Sequence, residues 1–336
     1  MNNPSSFSIG VDVGGTKIEA IVLDAAGAQR WRQRVDSPSH SYPAMLDAIA
    51  ALVGQARQHL GHAPASIGLG TPGSLTAEGR MKNCNTVCLN GQRLQDDLAQ
   101  HLGQPVRLAN DANCLALSEA TDGAGAGAAV VFAVILGTGT GAGIAVHGRV
   151  LTGPNQLAGE WGHNPLPWST ADEPKPPCYC GKTGCVETLV SGPGIALDHL
   201  QHTGATRTAR QIAEAAESGD AACTAALARW HSRLARALAG VINLLDPDVI
   251  VFGGGLSHIA SSYDRLPALI EPWLFAGGMV ERPQAAAKKA PPPPPEGVSQ
   301  LGSGPALTRE PLRTRILPSQ HGDSSGVRGA AWLWRH

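Results

Sequence analysis

Residues 7–13, FSIGVDV, and 18–23, IEAIVL, are apolar runs rich in β-branched side chains, and Gly14-Gly15-Thr16-Lys17 separates them. Such runs around a glycine turn predict strand, tight turn, strand. Over 43–60 the apolar positions Met45, Ile49, Leu52 and Val53 fall at helical spacing. SIGLG at 66–70 then reads as a strand that ends in Thr71-Pro72-Gly73, and VRLANDANCLALSEA at 106–120 predicts a short strand running into a helix. The plan repeats in the second half. AAVVFAVILGTGTGAGIAVHG at 128–148 is again strand, glycine-rich turn, strand; 228–242 has helical spacing; and DPDVIVFGGGLS at 246–257 is expected to be the final buried strand, closing on three glycines. Two halves that each begin with a glycine-turned hairpin predict a duplicated α/β architecture with a cleft between them.

The pattern breaks over 283–312, where five consecutive prolines and little apolar content leave nothing for helix or strand. An extended excursion from the surface is expected there. Folded sequence resumes at TRILPSQHGDSSGVRGAAWLW, whose end predicts a helix of small residues flanked by aromatic ones.

Composition narrows the function classes. With 336 residues, 43% hydrophobic and 16% charged, the chain is long enough for two buried cores. The formal net charge is -1 and the lysines and arginines are scattered, so the electrostatic footprint of a nucleic-acid partner is missing. No basic leader opens the chain and no apolar run approaches the roughly 20 residues of a membrane span, so a soluble cytoplasmic protein without a membrane partner is expected. Seven cysteines without an export signal should stay reduced, which makes a disulfide framework the weaker reading of CYCGKTGC at 178–185. Cys84, Cys88, Cys114 and Cys223 stand apart from that run and are expected to be small buried residues.

Three glycine turns, G-x-D-x-G-G-T-K at 10–17, L-G-T-G-T-G-A-G at 136–143 and V-F-G-G-G at 251–255, can each aim backbone N–H groups at an anion. None is a Walker A loop, and none opens a dinucleotide-binding βαβ unit. In this order they resemble the two phosphate segments and the adenosine segment of actin-like sugar kinases, and the motifs between them resemble the ROK family (repressors, open reading frames, kinases) from Ser8 to Trp334. LANDANC, AGEWGHNPLPW, PCYCGKTGC and HGDSSGVRGAAWLW are further similar to bacterial fructokinases that also accept mannose.

The resemblance implies a two-domain actin-like ATPase (ribonuclease H-like) α/β fold with an interdomain cleft. A small domain would span 1–118 and a large one 119–336, with a zinc knuckle at 163–185 and the last helix packed back on the small domain. The reaction implied is ATP- and Mg²⁺-dependent phosphorylation of a hexose, D-fructose to fructose 6-phosphate with mannose second, or alternatively glucose or N-acetylglucosamine. A homodimer is implied as well. ROK regulators carry a helix-turn-helix domain, for which the sequence before Ser8 leaves no room, so that reading is not expected.

By the same resemblance, His163 joins Cys178, Cys180 and Cys185 in C-x-C-G-x-x-G-C to hold one zinc. Three thiolates and an imidazole suit a closed structural site with no open position. Glu160 and Glu187 would bind sugar at the edge of the knuckle, His163 would touch it too, and Thr71, Pro72, Gly73, Asn83, Asn85 and Asn110 would supply further contacts. Asp111, after the strand VRLAN and before a helix, reads from its position alone either as an N-cap or as a carboxylate aimed into the cleft. The resemblance makes it the catalytic base. Asp12, Gly14, Gly15, Thr16 and Lys17, then Gly137, Thr138 and Gly139, would face Mg²⁺ and the phosphates, with Gly253, Gly254 and Gly255 at the nucleotide.

Overall fold

The structure, a computed structural model, describes residues 7–275 and 311–335. Of the proline-rich tract expected over 283–312, all but Pro311 and Leu312 lies outside the described residues.

Strands β1 (Ser8–Val13), β2 (Lys17–Leu23) and β3 (Gln29–Asp36) form an antiparallel meander. Helix α1 (Tyr42–Leu60) follows, started by the Ser41 hydroxyl, which accepts from the Ala44 N–H, and stopped by Gly61 in the left-handed region at φ 73°. Strand β4 (Ser66–Thr71) pairs parallel to β1. A small hairpin of β5 (Ser74–Leu75) and β6 (Met81–Lys82) leads through α2 (Leu94–Leu102) to β7 (Val106–Asn110), parallel to β4. The first sheet thus has the order β3-β2-β1-β4-β7.

Helix α3 (Asp111–Asp122) leads to β8 (Val130–Leu136), β9 (Thr140–Val146) and the short β10 (Arg149–Val150). After a long irregular segment come α4 (Val186–Val190), α5 (Gly192–Thr203), α6 (Ala209–Glu217) and α7 (Ala221–Leu245). Strand β11 (Val249–Gly253), helix α8 (Ser261–Ile270), strand β12 (Arg315–Pro318) and helix α9 (Ser325–Trp332) complete the chain. The second sheet has the order β10-β9-β8-β11-β12, with β8 and β9 antiparallel and β11 parallel to both β8 and β12. Each sheet is therefore an antiparallel three-strand meander extended by two parallel strands on the side of its first strand. The duplicated α/β plan expected from the two hairpins is present.

Helix α1 covers one face of the first sheet, where Met45, Ile49, Leu52 and Val53 join Val11, Val13 and Ile18 in one core. Helices α4 to α8 cover the outer face of the second, around Phe132, Val134, Trp230 and Phe252. The inner faces are filled by two helices that change sides. α3 leaves the first sheet and packs on β8 and β9, whereas α9 leaves the second sheet and packs on β1 and β4. The two helices also pack on each other. Their approach is a backbone contact, since a Cβ on Gly329 would lie 1.7 Å from the Cys114 carbonyl oxygen. Similarly, a Cβ on Gly68 of β4 would lie 2.0 Å from the Ala330 carbonyl.

Among the described residues, no helix is long and apolar enough to cross a membrane. Three of the four isolated cysteines, Cys84, Cys114 and Cys223, are buried as expected, but Cys88 is only half-buried, because it lies in the turn at Val87–Leu89 near the surface.

The crossing is sensitive to a single methyl group. Gly329→Ala is expected to destabilise the fold by about 3 kcal/mol, because neither backbone can yield without moving a sheet. Gly54, exposed on α1 with nothing within 4 Å of its would-be Cβ, should show the opposite sign: Gly54→Ala is expected to stabilise by roughly 0.5–1 kcal/mol through helix propensity. Denaturant midpoints of the two variants check both signs.

Candidate active site

Parallel strands of one sheet present their carboxyl ends along one edge, which is where open α/β sheets hold ligands. In the first sheet the register pairs Asp12 with Gly70 and Thr71 with Asn110, so the ends of β1, β4 and β7 lie in a row. Asn110 closes β7 and caps α3: its side-chain oxygen accepts from the Ala112 N–H at 2.9 Å, and its amide donates to the Gly73 carbonyl at 3.1 Å. Asp111 is thus the first helical residue rather than the cap. One of its oxygens also accepts from the Ala112 N–H, at 2.7 Å.

Carboxylates crowd this edge. Burial, and then the neighbouring Asp111 and Glu19, push the Asp12 carboxyl up to about 7. Burial, together with Glu160, raises Asp111 to about 6 against the opposing hydrogen bond from Ala112. Glu19, opposite Asp12 across the hairpin, is paired with both Arg32 and Arg34. Among the described residues Asp12 and Asp111 form no such ion pair, although the Arg34 charge opposes the rise of Asp12, and a divalent ion would relieve them.

The second sheet supplies the facing wall. Its glycine turn after β8 is closed by the Gly137 N–H donating to the Gly139 carbonyl at 3.0 Å. Next to it, the Thr140 N–H donates to Glu187 Oε2 at 3.0 Å. Glu187, in the first turn of α4, therefore ties the knuckle to the glycine turn.

Glu160 and His163 lie on a single 3-10 turn, Glu160–His163, which packs against β9 through the Ala142 N–H to Gly159 carbonyl bond of 3.2 Å. The His163 Nε2 lies 3.9 Å from Glu160 Oε2 and 3.0 Å from the Tyr179 hydroxyl. Its Nδ1 lies 3.5 Å from Cys178 Sγ, and Cys180 Sγ lies 3.6 Å from Cys185 Sγ. All four ligand atoms of His163, Cys178, Cys180 and Cys185 fall within 4.8 Å of one another. Tetrahedral zinc with Zn–S bonds near 2.3 Å needs sulfur separations of roughly 3.8 Å, so the group fits that ion.

Between the walls is a small cleft of about 50 Å³ lined by Ser74, Leu75, Asn110, Asn113, Thr152 and Glu160. Thr71 is fully buried with no partner for its hydroxyl, and so stands behind the wall rather than in it. The Pro72 carbonyl faces Cys84 Sγ at 3.1 Å. Asn83 and Asn85 are exposed on the turn after β6, and Asn85 meets Thr86, not the carboxylates. In the other turns Gly15, Thr16, Lys17, Thr138, Gly254 and Gly255 are exposed, whereas Gly14, Gly137 and Gly139 are half-buried and Gly253 ends β11 buried. The structure therefore gathers Asp12, Asp111, Glu160, His163, Glu187 and the 137–140 turn most tightly.

Sequence reasoning missed Glu119. It is fully buried on α3 and accepts from the N–H groups of Ala124 (2.8 Å) and Gln320 (3.1 Å) and from the Ser325 hydroxyl (2.8 Å). It fastens the helix headed by Asp111 to the segment entering α9. The available signal was a carboxylate on the apolar face of a helix, in ALSEA.

The ROK family model matches residues 8–290. N-acetyl-D-glucosamine kinase of Salmonella gallinarum is 34% identical over 334 residues, covering 96% of this chain and 98% of that protein. Its counterpart in Escherichia coli (strain HS) is 35% identical over the same shares. Among solved structures, the ROK hexokinase of Thermus thermophilus superposes with a TM-score of 0.76 at 26% identity, over 97% of both chains. A ROK glucokinase of Streptomyces griseus, in complex with glucose and AMPPNP, gives a TM-score of 0.71 at 27% identity, over 98% of this chain and 99% of that one.

The donor set makes a direct expectation. Protein purified without chelator should carry one zinc per chain, and Cys180→Ser should lose most of it, since three remaining ligands hold the ion far less tightly. Metal analysis of both preparations decides; a wild-type chain free of zinc would remove the metal from the site.

Proposed function

The chain belongs to the ROK family, and on that premise we propose that it transfers the γ-phosphoryl group of ATP to the 6-hydroxyl of a hexose, with N-acetylglucosamine and glucose ahead of fructose. What carries the reading is the juxtaposition of Asp111 with Glu160, His163 and Glu187 on one side and the 137–140 glycine turn on the other. Phosphoryl transfer asks for in-line placement and charge neutralisation more than for covalent help. Asp111 accepts the proton of the attacking hydroxyl, and Asn110, fixed by its bonds to Gly73 and Ala112, orients a neighbouring hydroxyl. Glu160, His163 and Glu187 grip the remaining hydroxyls. The turns at 14–17 and 137–139 point main-chain N–H groups at the phosphates, and 253–255 borders the nucleotide. Asp12 would hold Mg²⁺, which would supply neutralisation of the triphosphate charge. His163, Cys178, Cys180 and Cys185 would hold a zinc ion that would supply rigidity and no chemistry.

The order of sugars follows the full-length relatives, which are named for N-acetylglucosamine, and the solved glucokinase. A second reading, fructose with mannose, draws on AGEWGHNPLPW and PCYCGKTGC, whose likeness to fructokinases remains the one observation in its favour. A coupled ADP-release assay over the four sugars separates them: N-acetylglucosamine or glucose is expected to give the largest kcat/KM, and a lead for fructose would transfer the assignment to the second reading.

Asp111→Asn should leave sugar binding near normal and lower kcat by roughly 10² or more. The base works only when ionised, and its pKa in the free protein is raised, so kcat/KM, which reports the free enzyme, should hold above about pH 6 and fall as pH drops through that value. Near-normal turnover of the variant, or a flat profile from pH 5 to 8, would exclude Asp111 as the base.

A further inference from the structure

The segment from Asn164 to Pro177 joins His163 to the first cysteine of the knuckle. It contains no helix or strand, only isolated bridges at Pro165 and Pro177. Its ends are tied to residues 184–186 by backbone hydrogen bonds at Asn164, Leu166 and Pro176, and the side chains that hold its middle come from α7. The Arg236 guanidinium donates at 2.8 Å both to the Trp168 carbonyl and to Glu173 Oε2, and also meets Glu173 Oε1. Glu173 accepts in addition from the Thr170 N–H at 3.2 Å and from Arg233 at 3.3 Å. Arg233 reaches onward to Asp198 of α5 at 2.8 Å, and Asp198 is held from its other side by Arg229.

The network is buried. Side-chain exposure is 4% for Arg233, 5% for Arg236, 12% for Glu173 and 3% for Asp198. Glu173 lies five positions before Cys178, and Asp198 is on the helix that follows Glu187 and α4. Both flanks of the knuckle are therefore clamped to one helix. A planar guanidinium that bonds a carboxylate through two N–H groups fixes direction as well as distance, which an apolar contact does not. Buried ion networks are poor stabilisers for their cost, so a geometric role is the better account of this one.

We propose that Glu173 and Arg236 are positioning residues for the sugar. They act through the 164–177 segment: by fixing its path they place His163 and the knuckle, and through them Glu160 and Glu187, without touching substrate. The effect on sugar rests on the kinase reading above; the effect on the knuckle does not.

Two variants keep the test clear of unfolding. In Glu173→Gln/Arg236→Gln both charges leave together, so no unpaired charge is buried, and Arg233 keeps Asp198. Arg236→Lys retains the charge but loses the fork. For each, three quantities are measured: KM for the best sugar, KM for ATP, and the rate at which zinc passes from the holoenzyme to a chromophoric chelator. Both variants are expected to raise the sugar KM about tenfold, to leave the ATP KM within about twofold, and to release zinc several-fold faster. Equal rises in both KM values, or a zinc-release rate unchanged from the wild type, would overturn the proposal. So would Arg236→Lys behaving as the wild type, since charge alone would then suffice. If the wild-type chain phosphorylates no hexose, the kinase reading fails, while the zinc-release rates still decide whether Glu173 and Arg236 place the knuckle.

Discussion

Helices α3 and α9 touch backbone to backbone, Gly329 against the Cys114 carbonyl, and each lies on the sheet to which the other is covalently joined. No side chain could stand between them without forcing the two sheets apart. This contact sets how far the carboxyl edge of the first sheet is from the glycine turn of the second. Glu119 fastens the same crossing from inside α3, gathering N–H groups from Ala124 and Gln320 and the Ser325 hydroxyl. The catalytic candidate at the head of α3 is thus anchored at both ends of its helix, by the Asn110 cap at one and by Glu119 near the other.

Around that frame the site is built from repulsion. Asp12 and Asp111 are largely withdrawn from water; the Asp111 charge raises Asp12, and the Glu160 charge raises Asp111. Crowded carboxylates of this kind are unfavourable in an empty protein and favourable beside a cation and a hydroxyl proton, which is the pattern a phosphoryl-transfer site needs. The contrast with Glu173 is instructive. There two arginines hold the carboxyl down at about 2 despite burial, so it stays charged at any working pH and serves as a fixed strut.

The parts legible in the sequence were those written locally. Glycine turns between β-branched runs gave both hairpins, helical spacing gave α1, and strand-into-helix at Asn110-Asp111 gave the junction that carries the candidate base. The ligand spacing of 178–185 brought its atoms together with His163 as expected. The short α4 to α6, the β5–β6 hairpin and β12 were not read, because they have few periodic positions: α4 to α6 gain their order from packing on α7, β12 from pairing with β11, and the hairpin from setting Leu75 and Met81 against the first core. Neither the Glu173–Arg236 pair nor the Glu119 clasp could be read at all. Their partners are separated by 63 and about 200 residues, and no local pattern encodes which distant charge a buried carboxylate will meet. Choice among hexoses escaped for a different reason: on the proposed function it would depend on the shape of the cleft beside Asn110 and Glu160, to which distant segments contribute.

The central claim is that the sugar lies between Asp111 and the glycine turn with the hydroxyl to be phosphorylated on the aspartate. A crystal structure with N-acetylglucosamine or glucose and a non-hydrolysable ATP analogue tests it most directly. The account predicts the sugar 6-oxygen within about 3 Å of an Asp111 oxygen, on the line of the γ-phosphate, with Glu160 and Glu187 on other hydroxyls. A sugar bound with its 6-oxygen turned away from Asp111, or bound outside the Asn110–Glu160 cavity, would contradict it.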